Sequence, residues 1–254
     1  MTVATWINVG MDSTHLILLS VAVLVIAFLY SSVGHAGASG YIAVMTLWGL
    51  SPPVIRPTAL VLNILVAAIA AVQFWRAGYF DWRLFWPFAL LSVPAAYLGG
   101  YLHVSTLALK LLLGIVLLFS AARLAFHPSD PVEAKLPARA TAMGTGTVLG
   151  FLSGLTGTGG GIFLTPLLLF AGWARIRQAA AVSALFILLN SIAGLVGYFT
   201  AQRSVPSLGL VLAVAAMAGG LLGSHLGSRR FPVRTISLIL AVVLVIAGTK
   251  LLFT

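Results

Sequence analysis

The stretch Gly154-Leu155-Thr156-Gly157-Thr158-Gly159-Gly160-Gly161 decides how the chain is read. It stands between two apolar runs, 139–155 and 159–172, and is too rich in glycine for a helix interior, where each glycine costs about 1 kcal/mol relative to alanine. A second such stretch, Gly34-His35-Ala36-Gly37-Ala38-Ser39-Gly40, separates the runs 15–33 and 36–50. Around both, the sequence is almost continuously apolar: 61% of the 254 residues are hydrophobic and 7% charged, against about 25% charged in a soluble domain. The runs are ~17–25 residues long, the length of a helix across ~30 Å of hydrocarbon. They lack the ~10-residue alternation of a membrane β-barrel. The fold class predicted is an all-α integral membrane protein that crosses the bilayer many times.

Breakers divide the chain into ten segments: 15–33, 36–50, 57–75, 84–102 and 107–126, then 139–155, 159–172, 178–199, 207–226 and 235–253. A polar linker, 128–138, separates a first repeat, 1–127, from a second, 139–254. Each repeat holds about five segments, the first two joined at a Gly-rich break and the second of them short. At an offset of 124, Ala95, Gly99 and His103 match Gly219, Gly223 and Gly227, and Lys110 matches Arg234. Thr58-Ala59-Leu60 resembles Ser183-Ala184-Leu185 at 125.

Charge sets the predicted orientation. If all ten segments cross, one side carries Arg76, Arg83, Arg123, Lys135, Arg139, Arg175, Arg177, Arg229, Arg230 and Arg234. The other carries Arg56, Lys110, Arg203 and Lys250. The positive-inside tendency puts the first set in the cytoplasm and both termini outside. Counting each broken pair as one crossing gives seven against seven, so charge favours an odd number of crossings per repeat and hence two repeats of inverted topology, a recurrent plan of secondary transporters. Residues 1–14 hold no Lys or Arg, so the first helix is read as part of the mature protein, not a cleaved leader. The absence of cysteine excludes disulfides and thiolate sites. The net charge of +10 is scattered singly through short loops, which reads as membrane-surface charge, not a nucleic-acid interface.

Irregular backbone at membrane depth is tolerated only where it is buried in protein or lines a wet cavity. Each break leads into a short helix whose first N–H groups lack intrahelical partners and whose dipole favours an anion. The candidate substrate-binding residues are therefore Gly34, His35, Gly37, Ser39 and Gly40 in the first break, and Thr156, Gly157, Thr158, Gly159, Gly160 and Gly161 in the second. Thr58, Asn63, Ser183 and Asn190 join them as polar residues within spans. All four acidic residues, Asp12, Asp81, Asp130 and Glu133, fall in predicted loops or the terminus, whereas a cation carrier places carboxylates inside the membrane. The expected ligand is a small anion, with no cofactor, metal or catalytic group; the lipid bilayer is the other partner, and a second copy of the chain remains open. Gly219, Gly223 and Gly227, four apart, read as a helix-packing face. Arg56 and Arg177 read either as attractors of anions or as residues snorkelling to the headgroups.

The run Gly150-Phe151-Leu152-Ser153-Gly154-Leu155-Thr156-Gly157-Thr158-Gly159-Gly160-Gly161, then Pro166 and Ala184-Leu185, resembles the sulfite exporter TauE/SafE family of bacterial permeases. Ser32-Val33-Gly34-His35, Thr58-Ala59-Leu60 and Asp81-Trp82-Arg83 carry the same theme in the first half. The resemblance implies transport of sulfur-containing anions such as sulfite or organosulfonates, and with it the expected location is a bacterial inner membrane. The two breaks and the inverted repeats lead to the expectation of a secondary transporter working by alternating access, with the two halves rocking around an anion held between the breaks. The alternatives are a passive anion channel and an intramembrane serine hydrolase built on Ser153. The spacing Gly150-Phe151-Leu152-Ser153-Gly154 is one residue longer than a Gly-x-Ser-Gly loop, and duplication has no role in a hydrolase.

Overall fold

Hydrocarbon offers no partner to a peptide N–H or C=O, so apolar runs at membrane depth satisfy their backbone internally, as helices. The structure, a computed structural model, describes residues 12–102, 118, 121–122, 134–201 and 208–253. Among them are nine helices: α1 Ser13–Ser32, α2 Ala38–Leu47, α3 Pro52–Arg76, α4 Trp82–Tyr101, α5 Arg139–Thr156, α6 Gly161–Phe170, α7 Ile176–Thr200, α8 Leu208–Arg229 and α9 Val233–Phe253. The predicted segment 107–126 and most of the linker 128–138 lie outside the described residues. Six helices, α1, α3, α4, α7, α8 and α9, are long and apolar enough to cross a bilayer.

The second segment of each repeat is shorter than predicted. α2 and α6 have 10 residues each, ~15 Å at 1.5 Å per residue, because the glycines at their starts stay outside the helix. The third segments are longer, α3 and α7 having 25 residues each. In α3 prolines occupy the first positions, where a missing N–H costs nothing. α5 has 18 residues and is less apolar than the six. Its Thr145, Thr147 and Thr156 hydroxyls bond back to the carbonyls of Thr141, Met143 and Leu152, which satisfies them without water.

Contacts fix the directions of the helices. Leu24, Phe28 and Ser32 of α1 lie against Gly219, Gly223 and Gly227 of α8, rung by rung in parallel. Phe88, Ser92 and Ala96 of α4 lie against Gly146, Gly150 and Gly154 of α5, also in parallel. In both seams the approach is glycine to backbone carbonyl, with no side-chain layer between. α3 and α7 cross antiparallel through the centre: Pro53 pairs with Tyr198, Asn63 with Ser191, and Phe74 packs with Ala180. α3 runs with α8, Thr58 and Val61 meeting Gly209 and Val66 meeting Gly220. α7 runs with α4, Phe85 and Phe88 clustering with Ala179 and Val182 while Gly100 abuts Gly194. Hence α1, α3 and α8 point one way and α4, α5 and α7 the other. Each broken pair goes across and folds back: Tyr30 of α1 bonds Ser39 of α2 at 2.8 Å.

The surface is apolar and the interior carries the polar side chains. Leu210 and Val214 are 70% and 77% exposed, as lipid-facing residues are. Asn63, Ser153, Ser183, Asn190 and Ser191 are fully buried. Gly223→Val and Gly227→Val should each destabilise the detergent-purified protein by on the order of 3 kcal/mol, since the added carbons strike backbone that cannot give way. Gly144, with nothing within 4 Å of an added Cβ, should gain about 0.5–1 kcal/mol as Gly144→Ala. Thermal unfolding of the three variants measures both effects.

Candidate functional site

Both breaks end on a glycine that serves as a helix N-cap, Gly37 for α2 and Gly160 for α6, and at neither does a side chain cap the helix. The first N–H groups of both short helices therefore keep their partial positive charge without a capping oxygen. The two ends meet. His35 is buried, and its Nε2 lies 3.0 Å from the carbonyl oxygen of Gly161, the first residue of α6. A carbonyl only accepts, so Nε2 carries the proton and donates. Nδ1 is buried without a partner. In the neutral ring it offers a lone pair to a ligand that brings its own O–H. In the protonated ring it donates to a fully ionised oxyanion.

The second break is laid along one stripe of α7. Ser183, Ile187, Asn190, Ser191 and Gly194 recur at the spacing of one helical face. An added Cβ on Gly161 would run into Ile187, and one on Gly194 would touch Gly154. Gly159 takes φ +78°, and its added Cβ would lie 2.6 Å from Ile187 Cγ2, 2.9 Å from Asn63 Nδ2 and 3.0 Å from Ser191 Oγ. A left-handed φ and such close quarters together require glycine. Asn63 Nδ2 donates to Ser191 Oγ at 3.4 Å while Asn63 Oδ1 has no partner. The amide oxygen and nitrogen of Asn190 and the Ser153 hydroxyl are also buried and unpaired. Each unmatched polar atom costs roughly 1–3 kcal/mol, so their gathering beside the breaks points to a ligand that completes them.

The other predicted residues are placed as follows. Ser183 accepts from Thr165 at 2.7 Å, and its own carbonyl lies beside Gly161. The Thr156 and Thr158 hydroxyls pair with each other at 2.9 Å. Gly157 rests on the Arg56 side chain, and Gly34 on the Ala180 backbone. Ser39 is taken by Tyr30, Gly37 packs on Tyr41 and Gly40 on Ile26. Thr58 is buried with its hydroxyl unpaired, but its backbone lies against Gly209 of α8, away from the face that carries Asn63. The structure thus brings together His35, Gly159, Gly160, Gly161, Asn63, Ser183 and, by its place on the stripe, Asn190.

Ser191, a polar span residue able to bond an oxyanion, and Ser153 belong to this cluster although neither stood among the candidate binding residues. The adjacent polar pair Asn190-Ser191 in an apolar run was the available signal. Arg56 and Arg177 take neither of the roles expected for them. Arg56 Nη2 donates to the carbonyls of Gly99, Gly100 and Gly154, and the guanidinium sits 5.6 Å from the centre of the Tyr198 ring. Arg177 donates to Tyr79 Oη and the Phe231 carbonyl, both at 2.7 Å. Each arginine gathers orphan carbonyls at helix C-termini, where a cation is favoured.

The family described as sulfite exporter TauE/SafE matches residues 19–251. A protein of Sinorhizobium fredii, named as a probable membrane transporter, is 43% identical over 245 residues, covering 94% of this chain and 99% of its own. A Bacillus subtilis protein of the same description is 26% identical over 257 residues, covering 90% and 96%. One from Methanocaldococcus jannaschii is 30% identical over 166 residues, covering 60% and 61%. No solved structure gives a significant match.

The unpaired amides separate stability from function. Asn63→Leu and Asn190→Leu are close in shape and remove unmatched polar atoms, so each should leave thermal stability unchanged or raise it by about 1 kcal/mol. Transport in proteoliposomes should fall at least tenfold in each. Undiminished transport with raised stability would make the amides dispensable.

Proposed function

The chain belongs to the sulfite exporter TauE/SafE family and is a membrane transporter; we propose that its substrate is a small oxyanion, sulfite or an organosulfonate, bound where the N-termini of α2 and α6 converge. One observation carries this reading: two uncapped helix N-termini are brought together by the His35–Gly161 bond, beside the unpaired amides of Asn63 and Asn190. Partial positive charge from two helix ends, with amide and hydroxyl donors, suits a compact oxyanion and needs no formal cation. A cationic substrate is disfavoured because the described carboxylates, Asp12 and Asp81, lie before α1 and α4, and none lies within a helix.

The stretches 1–127 and 139–254 are the two repeats of this transporter, joined by the linker 128–138. Their matching helices run in opposite directions, which supports inverted topology and alternating access around a central site. The charge count supports a bacterial inner-membrane location with both termini outside.

A panel of sulfite, thiosulfate, sulfoacetate, taurine and sulfate, with chloride as control, tests the substrate class by thermal stability. A ligand at 100 times its Kd stabilises by about 2.7 kcal/mol, and a shift for one sulfur oxyanion should vanish in Gly159→Val. No shift with any of them in folded protein would overturn the reading. Exchange of labelled against unlabelled substrate across proteoliposomes should accelerate uptake, as a carrier does and a passive channel does not. The orientation is checked separately. The chain contains no cysteine, so Arg83→Cys should resist a membrane-impermeant maleimide in whole cells while Ser51→Cys reacts; the reverse pattern would invert the topology.

A further inference from the structure

Between the last turns of α3 and α8, on the outward face of the bundle, lies an open groove of about 530 Å³ lined by Ala68, Ile69, Val72, Gln73, Arg76, Leu221, His225 and Arg229. Its floor is apolar and faces outward, with Val72 54% and Leu221 48% exposed, so it lies in the hydrocarbon zone. Its rim is cationic and sits where the helices end. Trp75, beside Arg76, is exposed and stacked on Phe80, the placement of an aromatic at the membrane–water interface. Gln73 Nε2 donates to the Leu221 carbonyl at 3.3 Å, which holds the two walls together.

Among the described residues no carboxylate answers the two arginines. Of the two acidic residues among those described, Asp12 precedes α1 at the opposite end of the bundle. Asp81 is committed to the N–H groups of Arg83 and Leu84 and to Gln178. The related position on α7 and α4 lacks the basic rim. Offset by 125, the register of these two helices, Ala201 stands where Arg76 stands and Tyr198 where Gln73 stands. There Gly197 closes directly on the Tyr97 carbonyl, and the Thr200 hydroxyl turns back to Val196 and Gly197. The basic groove is thus a feature of one end of the bundle, the end that carries most of the arginines.

We infer that this groove is a binding site for an anionic phospholipid, its phosphate between Arg76 and Arg229 with His225 beside them, and an acyl chain on Val72, Ile69 and Leu221. A free phosphate or other soluble anion would use the rim but not the apolar floor. Basic pockets between transmembrane helices on the cytoplasmic side are suited to such headgroups. Because α3 and α8 come from different halves of the sequence, the bound lipid bridges them.

Native mass spectrometry and thermal unfolding in phosphatidylglycerol, phosphatidylcholine or inorganic phosphate test the inference. Phosphatidylglycerol should be retained and raise the Tm, while the other two do neither. Arg76→Gln with Arg229→Gln should weaken retention roughly 25-fold, at about fivefold per basic residue. Arg83→Gln with Arg230→Gln, which removes equal charge at the same end, should not. Val72→Trp keeps the charge, fills the floor, and should also abolish the effect. Equal shifts with both lipids, or full retention in the Arg76/Arg229 variant, would overturn the site. A response to phosphate alone would reduce it to a soluble-anion site. A change of oligomeric state without a lipid effect would assign the groove to a second copy.

Discussion

A helix interrupted at membrane depth leaves N–H and C=O groups that hydrocarbon cannot satisfy, and this molecule is arranged around hiding two such interruptions in one place. The bond from His35 to the Gly161 carbonyl joins the breaks, and α3 and α7 cross antiparallel beside them to supply the surrounding wall. Without a second break to meet it, either one would be an unpaired stretch of backbone inside the bilayer. Together they make a polar interior of modest size, walled by Ile187, Phe186 and Leu60 and furnished with amides and hydroxyls. Its positive character comes from helix ends, and among the described residues its side chains offer oxygen and nitrogen but no carboxylate.

Much of this was legible in the residues. The lengths of the apolar runs specify the long helices because hydrocarbon thickness leaves little choice, and clustered glycine marks the breaks because no helix interior favours it. The stripe Gly219, Gly223, Gly227 announced a close seam and met one on α1. The seam between α4 and α5 was harder to see, since Gly146, Gly150 and Gly154 run into the glycine-rich break that follows. Helix ends were misjudged where proline starts a helix instead of ending one, as at α3.

The site was legible in kind but less so in its members. Glycine served two purposes that sequence cannot separate. At Gly159 it brings backbone onto Asn63 and Ser191, while at Gly34 and Gly40 it lets helices and loops pack. Long-range partners were equally hidden. Nothing in the sequence near Arg56 says that its guanidinium will meet carbonyls 43 to 98 positions away, and nothing near Thr58 says that its backbone will lie against α8. One atom escapes a physical account: the indole N–H of the partly buried Trp48 is shielded without a partner.

The glycine seams have a mechanical consequence. In both, backbone rests on backbone along three successive rungs, with only the small side chains of Ala27 and Ser31 at the edge of the first, so one helix cannot easily slide past the other. Each seam joins a helix from the first stretch of sequence to one from the second, α1 with α8 and α4 with α5. The stiff bodies of this protein are therefore these cross-paired struts, each of which spans both halves of the sequence. Were the struts to move against each other, the connections at 33–37 and 157–160, where the chain leaves α1 and α5, would have to bend.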